Sequence, residues 1–389
     1  MSRRICVVIT ARPSYSRIKT ALEAIELHED LELQLVVAGS ALLDRYGTAA
    51  RFIEEDGFHP AARVFMVLEG ETPHSMAKTT GLGVLELATT FDNLQPDMVV
   101  TIADRFETMA TAIAASYMNL PLVHVQGGEI TGSIDEKVRH AVTKLADLHL
   151  VSTELAGKRV VRMGEDPARV HVTGCPSIDL AARVAARPGL DFDPFERYGG
   201  VGEVFDLRPP EHPGGYLVVM QHPVTTEFEA SREQTLATLR AVEATGRPAF
   251  WFWPNVDAGS GGVANAIRSF REHGGGRRMH FFKNMAPTDF LRLLCGTACL
   301  VGNSSVGIRE CSYLGVPTVN IGSRQAGRER GANVVDVDHD EGAIRAAIAA
   351  AAAASDRRGE PLYGDGRAGE RIAACLAEAP LTITKRLTY

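Results

Sequence analysis

Short apolar runs alternate with longer amphipathic stretches along the chain, and this alternation predicts a layered α/β fold. In the first half, uninterrupted apolar runs predict strands at Ile5–Ile9, Leu33–Ala38, Asp97–Ile102, Leu122–Gln126, Leu148–Ser152 and Arg169–Thr173. Helical periodicity predicts helices at Ser16–His28, Ser75–Asn93, Phe106–Met118, Asp135–Asp147 and Glu154–Met163. Strands without polar alternation are covered on both faces, so we expect a parallel sheet with helices on either side.

A second α/β unit follows a break between Ala185 and Gly215, where proline, glycine and charged residues interrupt any sustained period. Its predicted strands are Tyr216–Gln221, Pro248–Trp253, Met279–Phe282, Ala298–Val301 and Val316–Ile321. Its predicted helices are Glu229–Ala244, Gly262–His273, Pro287–Cys295, Val306–Leu314 and Glu341–Ala354. We therefore predict an N-terminal domain at 1–186, a linker with a surface excursion at 187–215, a C-terminal domain at 216–365, and a last helix within 366–389 that packs back on the first domain.

Composition narrows the classes of function. The 389 residues carry 41 Lys and Arg against 48 Asp and Glu, a formal charge of −7, and 45% are apolar. This mild acidity argues against a nucleic-acid-binding protein, and no apolar run reaches the roughly 18 residues that a membrane helix needs. The six cysteines are scattered in a way that suits neither a disulfide framework nor a zinc site. We expect a cytoplasmic protein with no metal or cofactor and no nucleic-acid or membrane partner.

Polar side chains and glycines follow six of the predicted strands. The carboxyl ends of parallel strands form the ligand-binding edge of an α/β sheet. We therefore expect these segments to meet at a cleft between the two domains. They are Thr10-Ala11-Arg12, Asp104-Arg105, Gly127-Gly128-Glu129, His222–Thr226, Pro254–Asp257 and Gly302–Ser305.

The segment Gly302–Glu310 predicts an anion site, because a glycine-bearing turn opens onto a helix N-terminus with free N–H groups. Gly302 and Gly307 would let a ligand approach the backbone, although Ser304 or Ser305 alone could be a simple helix cap. Glu310, about two turns along the helix, could accept hydrogen bonds from a ribose. Arg324 could contact phosphate. Together these features favour a nucleotide diphosphate.

Acidic residues gather at the opposing edge of the first domain, at Asp104, Glu129, Asp135 and Glu136, beside Arg12. Neighbouring carboxylates can move protons on and off carbon or oxygen, because their proximity drives their pKa values apart. The helix dipole by itself also favours acidic residues in a first turn, which leaves a structural interpretation open for Asp135 and Glu136. His222 could contact phosphate or act as an acid.

Eight segments carry a family resemblance: Thr10–Ser16, Ala103–Glu107, Gly127–Glu129, Ser133–Leu145, His222–Thr226, Pro254–Ser260, Gly302–Glu310 and Asn333-Val334. In them the chain resembles the hydrolysing UDP-N-acetylglucosamine 2-epimerases of the sialic-acid pathway, over nearly its whole length. The resemblance implies two Rossmann-like domains with a central cleft, as in B-type glycosyltransferases. It also implies that UDP is held mainly by the C-terminal domain, and that the protein forms a homodimer or a dimer of dimers.

The resemblance also implies the reaction. The proton at C2 of the sugar leaves, UDP is expelled to give a 2-acetamidoglucal, and water adds at C1 while C2 is reprotonated on the opposite face. The products are N-acetylmannosamine and UDP. The candidate catalytic residues are Asp104, Gln126, Glu129, Asp135 and His222. The candidate residues for binding UDP-N-acetylglucosamine and UDP are Arg12, Ser16, Arg105, Asn255, Gly302, Ser304, Ser305, Glu310 and Arg324.

Four positions depart from the family pattern. Gln126 stands where the family has a catalytic glutamate, and an amide cannot exchange the proton at working pH. Ala41 replaces a histidine, Ala103 a glycine and Gly261 a lysine. The sequence therefore leaves two alternatives to a hydrolysing epimerase. One is a non-hydrolysing 2-epimerase that yields UDP-N-acetylmannosamine, and the other is a UDP-sugar-binding protein with weakened catalysis.

Overall fold

The computed structural model describes residues 2–44, 49–132, 134–207, 215–255, 257–354 and 357–388. Ser133 and Val256, which belong to two of the family motifs, and residues 208–214 of the predicted linker lie outside the described residues. In the part of the chain that is described, no helix combines the length and the apolar character needed to cross a bilayer.

The first domain is a seven-stranded parallel sheet, ordered β3-β2-β1-β4-β5-β6-β7. Its strands are β1 (Arg3–Ile9), β2 (Leu31–Ala38), β3 (Ala62–Val64), β4 (Met98–Ile102), β5 (Leu122–Val125), β6 (Leu148–Val151) and β7 (Val170–Val172). Its helices are α1 (Arg12–Ser16), α2 (Lys19–Glu26), α3 (Ala49–Glu55), α4 (Pro73–Leu94), α5 (Phe106–Tyr117), α6 (Asp135–Leu145), α7 (Glu154–Arg162) and α8 (Pro176–Ala185).

The second domain is also built on seven strands, ordered β14-β13-β12-β9-β10-β11-β8, and only β8 runs antiparallel to its neighbour. Its strands are β8 (Val201–Gly202), β9 (Leu217–Met220), β10 (Ala249–Phe252), β11 (Met279–Phe282), β12 (Cys299–Gly302), β13 (Thr318–Ile321) and β14 (Val334–Val337). Its helices are α9 (Pro194–Tyr198), α10 (Ser231–Ala244), α11 (Ser260–Glu272), α12 (Pro287–Cys295), α13 (Glu310–Leu314) and α14 (Glu341–Ala353), with α15 (Ala368–Glu378) following.

Strand β1 illustrates why uninterrupted apolar runs form these sheets. Successive side chains of a strand point to opposite faces. Ile5 and Val7 pack in one core of the first domain, whereas Cys6 and Val8 pack in a second core on the other face. Both faces are thus buried under helices, and the predicted two-domain α/β fold is confirmed.

Helix α15 returns to the first domain after the second is complete. Its apolar residues Ile372 and Leu376 belong to the core that also holds helix α2. The buried Asp179 carboxylate accepts the backbone N–H groups of Ala368 and Gly369, at 2.9 and 2.7 Å, which satisfies the first turn of the helix. The C-terminal segment therefore ties the two domains together.

Candidate active site

A cavity lies between the domains, at the carboxyl ends of both sheets. Eleven of the fourteen candidate residues line it: Arg12, Ser16, Asp104, Arg105, Asp135, His222, Asn255, Ser304, Ser305, Glu310 and Arg324. The other three, Gln126, Glu129 and Gly302, are not among its lining residues. Both domains thus contribute polar side chains to one shared chamber.

Asp104 enters the cavity from the end of β4 and is surrounded by arginines. Its carboxylate forms an ion pair with buried Arg139 of α6. Arg17 and Arg328 lie 3.8 and 3.9 Å from its oxygens. Three guanidinium groups therefore surround this carboxylate with positive charge, which favours its ionised form.

Arg12 and Arg105 connect the two domains at one side of the cavity. Arg12 donates to the Lys283 carbonyl (2.5 Å) and to Oδ1 of Asn255 (2.8 Å). Arg105 pairs with Asp257 of the second domain at 3.0 Å, while Glu107 binds it from its own domain. Both guanidinium groups are therefore held at the cavity wall by contacts with the second domain.

The two acidic residues that open α6 have different surroundings. Asp135 lines the cavity, and its Oδ2 lies 3.9 Å from Arg324. Glu136 instead accepts the backbone N–H of Thr131 at 2.6 Å and contacts His140 at 2.8 Å, and it does not itself line the cavity. Glu136 therefore stabilises the start of α6 and its neighbouring turn, as the structural interpretation expects, whereas Asp135 faces the cavity.

The segment after β12 differs from its predicted form. The predicted helix Val306–Leu314 is wrong as a single element, because a 3-10 turn at Ser305–Gly307 is followed by the five-residue helix α13. Glu310 is consequently the first residue of α13 rather than a residue two turns into a helix. Ser304 caps the 3-10 turn through Val306 N–H at 3.4 Å and also lines the cavity. Its capping and binding interpretations are thus compatible.

The glycines of this segment are required by packing, and neither Gly302 nor Gly307 is among the residues that line the cavity. Close approach of a ligand to their backbone stays a prediction. Gly302 has φ +128°, and a Cβ there would lie 2.3 Å from the Met220 carbonyl oxygen. At Gly307 a Cβ would lie 2.5 Å from Cγ2 of Thr318. Both positions require the absence of a side chain because neighbouring strands approach them closely.

Gly307→Ala is therefore expected to lower the free energy of unfolding by about 1–3 kcal/mol, the usual cost of overpacking a close contact. Chemical denaturation measures this change. Gly81→Ala is the matched control, since its Cβ would meet nothing within 4 Å on the exposed face of α4. It is expected to stabilise the fold by about 0.5–1 kcal/mol through helix propensity. Equal effects of the two substitutions would contradict the packing argument.

Gln126 and Glu129 lie behind the cavity wall. Gln126 is fully buried, and its Nε2 donates to Sγ of Cys175 at 3.0 Å. Glu129 pairs with Arg309 of the second domain, and Arg328 lies 3.6 Å away. Burial raises the pKa of Glu129, but Arg309 and Arg328 more than offset this, so its pKa lies below the ordinary value. Glu129 therefore acts as an ionised partner in an interdomain ion pair.

His222 presents a neutral ring to the cavity. Burial, and then the nearby charges of Arg324, Arg12 and Arg105, hold its pKa well below the ordinary value. Its backbone N–H donates to Asn303 Oδ1 at 2.8 Å, while its ring Nδ1 has no hydrogen-bond partner among the described residues. A neutral imidazole here can donate or accept one hydrogen bond with a ligand, without adding charge.

Several residues of the site are not predicted from the sequence. Arg17 and Arg328 line the cavity, and Arg139 lies directly behind Asp104. Arg139 had a detectable signal, because it follows Asp135 by four residues and must share its helix face. The cavity also has an apolar end formed by Phe252, Met285, Pro287 and Phe290. In the described segments, no group of three His, Cys, Asp or Glu side chains is arranged to hold a metal ion.

Solved structures of low sequence identity share this fold. A Methanocaldococcus jannaschii UDP-GlcNAc 2-epimerase, solved in complex with UDP-GlcNAc and UDP, aligns with a TM-score of 0.77 at 15% identity, over 96% of this chain and 99% of that one. The Staphylococcus aureus MnaA–UDP co-structure aligns with a TM-score of 0.74 at 18% identity, over 100% of both chains. These similarities establish the architecture.

Sequence relatives establish the family. A hydrolysing UDP-N,N'-diacetylbacillosamine 2-epimerase of Legionella pneumophila is 32% identical over 381 residues, 98% of this chain and 97% of the relative. A UDP-N-acetylglucosamine 2-epimerase of Neisseria meningitidis is 30% identical over 340 residues, 87% of this chain and 85% of the relative. The family model described as UDP-N-acetylglucosamine 2-epimerase matches residues 23–377. The chain therefore belongs to the UDP-N-acetylglucosamine 2-epimerase family of enzymes.

Proposed function

We propose that this protein is a hydrolysing 2-epimerase that converts UDP-N-acetylglucosamine and water to N-acetylmannosamine and UDP. One observation carries the proposal: Ser304 and Glu310 of the second domain line the same cavity as Asp104 and Asp135 of the first. A nucleotide-binding wall thus faces a pair of carboxylates. Such a pair is needed to move a proton at the sugar while the nucleotide is held.

The charge of the cavity supports a nucleoside diphosphate ligand. Five arginines line it, at positions 12, 17, 105, 324 and 328, against three carboxylates, at 104, 135 and 310. The lining thus carries more positive than negative side chains, which favours an anionic ligand such as a diphosphate. The apolar end at Phe252, Met285 and Phe290 suits a nucleobase, which stacks on and packs against such side chains.

The proposed reaction uses the two carboxylates as proton acceptor and donor. One carboxylate takes the C2 proton, the C–H electron pair forms the C1–C2 double bond, and the C1–O bond breaks as UDP leaves. In the second step the oxygen of water adds to C1 while the second carboxyl group, in its protonated form, gives its proton to C2 on the opposite face. The proton released by water restores that group, and the first carboxyl group returns its proton to solvent. The arginines stabilise the charge that develops on the departing diphosphate.

The hydrolysing outcome is supported by the names of two relatives. The Legionella pneumophila protein is a hydrolysing enzyme, and so is a GDP/UDP-N,N'-diacetylbacillosamine 2-epimerase of Campylobacter jejuni, 27% identical over 335 residues. The same names favour a second candidate substrate, UDP-N,N'-diacetylbacillosamine. Both sugars carry the nucleotide and the C2 acetamido group that the proposed reaction requires.

Proton NMR in deuterated water tests these alternatives. The protein is incubated with each UDP-sugar separately, and the products are identified over time. Free N-acetylmannosamine with deuterium at C2 is the expected result. A deuterated sugar still attached to UDP would instead indicate the non-hydrolysing reaction, and faster release from the diacetylated sugar would identify that substrate. UDP binding without deuterium incorporation from either sugar would mean that the protein only binds the nucleotide sugar.

Glu310→Ala is expected to weaken UDP binding by about 1–3 kcal/mol, the range for hydrogen bonds to a charged group. Glu310 lines the cavity and is 5% exposed, and its Oε2 has no hydrogen-bond partner among the described residues. A ribose hydroxyl would satisfy that acceptor. Titration calorimetry with UDP measures the change. Glu329→Ala is a suitable control, because Glu329 pairs with Arg159 and does not line the cavity; a similar loss in both variants would contradict the ribose contact.

A further inference from the structure

The turn that carries Asp104 into the cavity has a backbone conformation that L-amino acids rarely adopt. Ala103 has φ +65° and is 2% exposed. A side chain at positive φ is disfavoured by contacts between its Cβ and the backbone, which is why glycine is the usual residue there. The backbone N–H of Ala103 donates to the Val125 carbonyl at 2.8 Å.

The backbone carbonyl of Ala103 contacts the side chain of His124, which lies on the neighbouring strand β5. The imidazole is fully buried, with Nε2 2.8 Å from the Ala103 carbonyl oxygen and Nδ1 3.1 Å from Oγ1 of Thr143. A carbonyl oxygen only accepts, so Nε2 carries the proton and Nδ1 accepts from the hydroxyl. Burial lowers the pKa of His124 to about 3, which is consistent with this single neutral tautomer.

The second contact of His124 reaches the helix that bears the rest of the acidic site. Thr143 lies on α6, which also carries Asp135 at its first residue and Arg139, the ion-pair partner of Asp104. One imidazole therefore joins the strained turn before Asp104 to the helix that holds both Asp135 and Arg139.

We propose that His124 is a positioning residue that holds Ala103 in its left-handed conformation and so aims Asp104 into the cavity. The role follows from the contact of Nε2 with the Ala103 carbonyl, since the imidazole itself does not line the cavity. The proposal deepens the proposed function and rests on it for its kinetic test. It also has a structural test that holds whatever reaction the site performs.

Glutamine and asparagine at position 124 separate the two contacts of the ring. A glutamine amide N–H reaches the place of Nε2 and can still donate to Ala103. The shorter asparagine amide reaches only the place of Nδ1, and so can contact Thr143. In His124→Asn we expect kcat to fall at least 30-fold with KM within threefold of the wild type. In His124→Gln we expect kcat within fivefold of the wild type.

A purely structural histidine would give a different pattern. Equal kcat in the two variants, or a kcat of His124→Asn within threefold of the wild type, would overturn the proposal. So would a loss of kcat in His124→Asn accompanied by an equal rise in KM. Adding Ala103→Gly to His124→Asn removes the penalty of positive φ, and we expect it to restore kcat at least fivefold. An unchanged kcat in that double variant would also overturn the proposal.

A crystal structure of His124→Asn tests directly whether His124 positions Ala103 and Asp104. We expect Ala103 to leave the positive-φ region and the ion pair between Asp104 and Arg139 to break. Ala103 retained at positive φ with that ion pair intact would overturn the proposal on structural grounds alone. If the wild type shows no exchange at C2 with either UDP-sugar, the proposed function fails, and this structural comparison still decides the role of His124.

Discussion

Asp104→Asn is expected to lower turnover about 10²–10⁴-fold, the usual contribution of a positioned proton-transfer group. Asparagine keeps the shape of the carboxylate and one acceptor oxygen, but it cannot take or return the C2 proton. The UDP dissociation constant is expected to stay within threefold, because the substitution leaves unchanged Ser304, Glu310 and the cavity arginines, to which we assign the nucleotide. Steady-state release of UDP gives turnover, and calorimetry gives the affinity.

The control for this substitution is Glu136→Gln. It makes the same carboxylate-to-amide change on a residue that does not line the cavity. A glutamine Oε1 can still accept the Thr131 N–H, so turnover is expected within threefold of the wild type. An Asp104→Asn protein that retains more than a tenth of wild-type turnover would contradict a proton-transfer role for Asp104. In Asp104→Asn, Arg139 loses its carboxylate partner, so the free energy of unfolding is expected to fall by about 1–3 kcal/mol. Turnover is therefore compared under conditions in which the wild type and both variants are folded.

The central strands could be predicted from the sequence because burial on both faces leaves an uninterrupted apolar run. β4, β5 and β12 are buried throughout, and each lies within or next to its predicted range. The short edge strands β3, β8 and β14 were missed for the same physical reason. Their residues are largely exposed or half-buried, so no apolar run distinguishes them from a loop.

The position of a residue at a strand end predicted its presence in the cleft but not the direction of its side chain. Gln126 follows β5 as expected, yet its φ of +67° and its contact with Cys175 direct the amide behind the cavity wall. Glu129 is likewise engaged by Arg309, which lies 180 residues along the chain. Residues so far apart in the sequence come together only when the chain folds, so the local sequence pattern cannot predict these contacts.

Breaking the ion pair between Glu129 and Arg309 is expected to give the largest change in the free energy of unfolding. Glu129 and Arg309 are 1% exposed and join the two domains. Removing Arg309 leaves the buried Glu129 carboxylate with Arg328 alone, at 3.6 Å, and breaking a buried ion pair costs about 3–5 kcal/mol. We therefore expect Arg309→Met to lower the free energy of unfolding by this amount, as measured by chemical denaturation. Glu129→Gln should cost less, since Arg309 also stacks over the Tyr363 ring at 5.5 Å.

A double-mutant cycle and the pH dependence show whether the pair itself is responsible. Glu129→Gln combined with Arg309→Met should lower the free energy of unfolding by less than the sum of the single changes. Glu370→Gln, in the exposed pair with Arg367, should lower it by under about 1 kcal/mol.

The pKa of Glu129 in the folded protein lies below its ordinary value of 4.5. Its stabilisation is therefore complete above that value and is lost as the pH falls through the lower, folded pKa. The difference in stability between wild type and Glu129→Gln should shrink over that interval, and a constant difference would mean that Glu129 is not ionised in the folded protein.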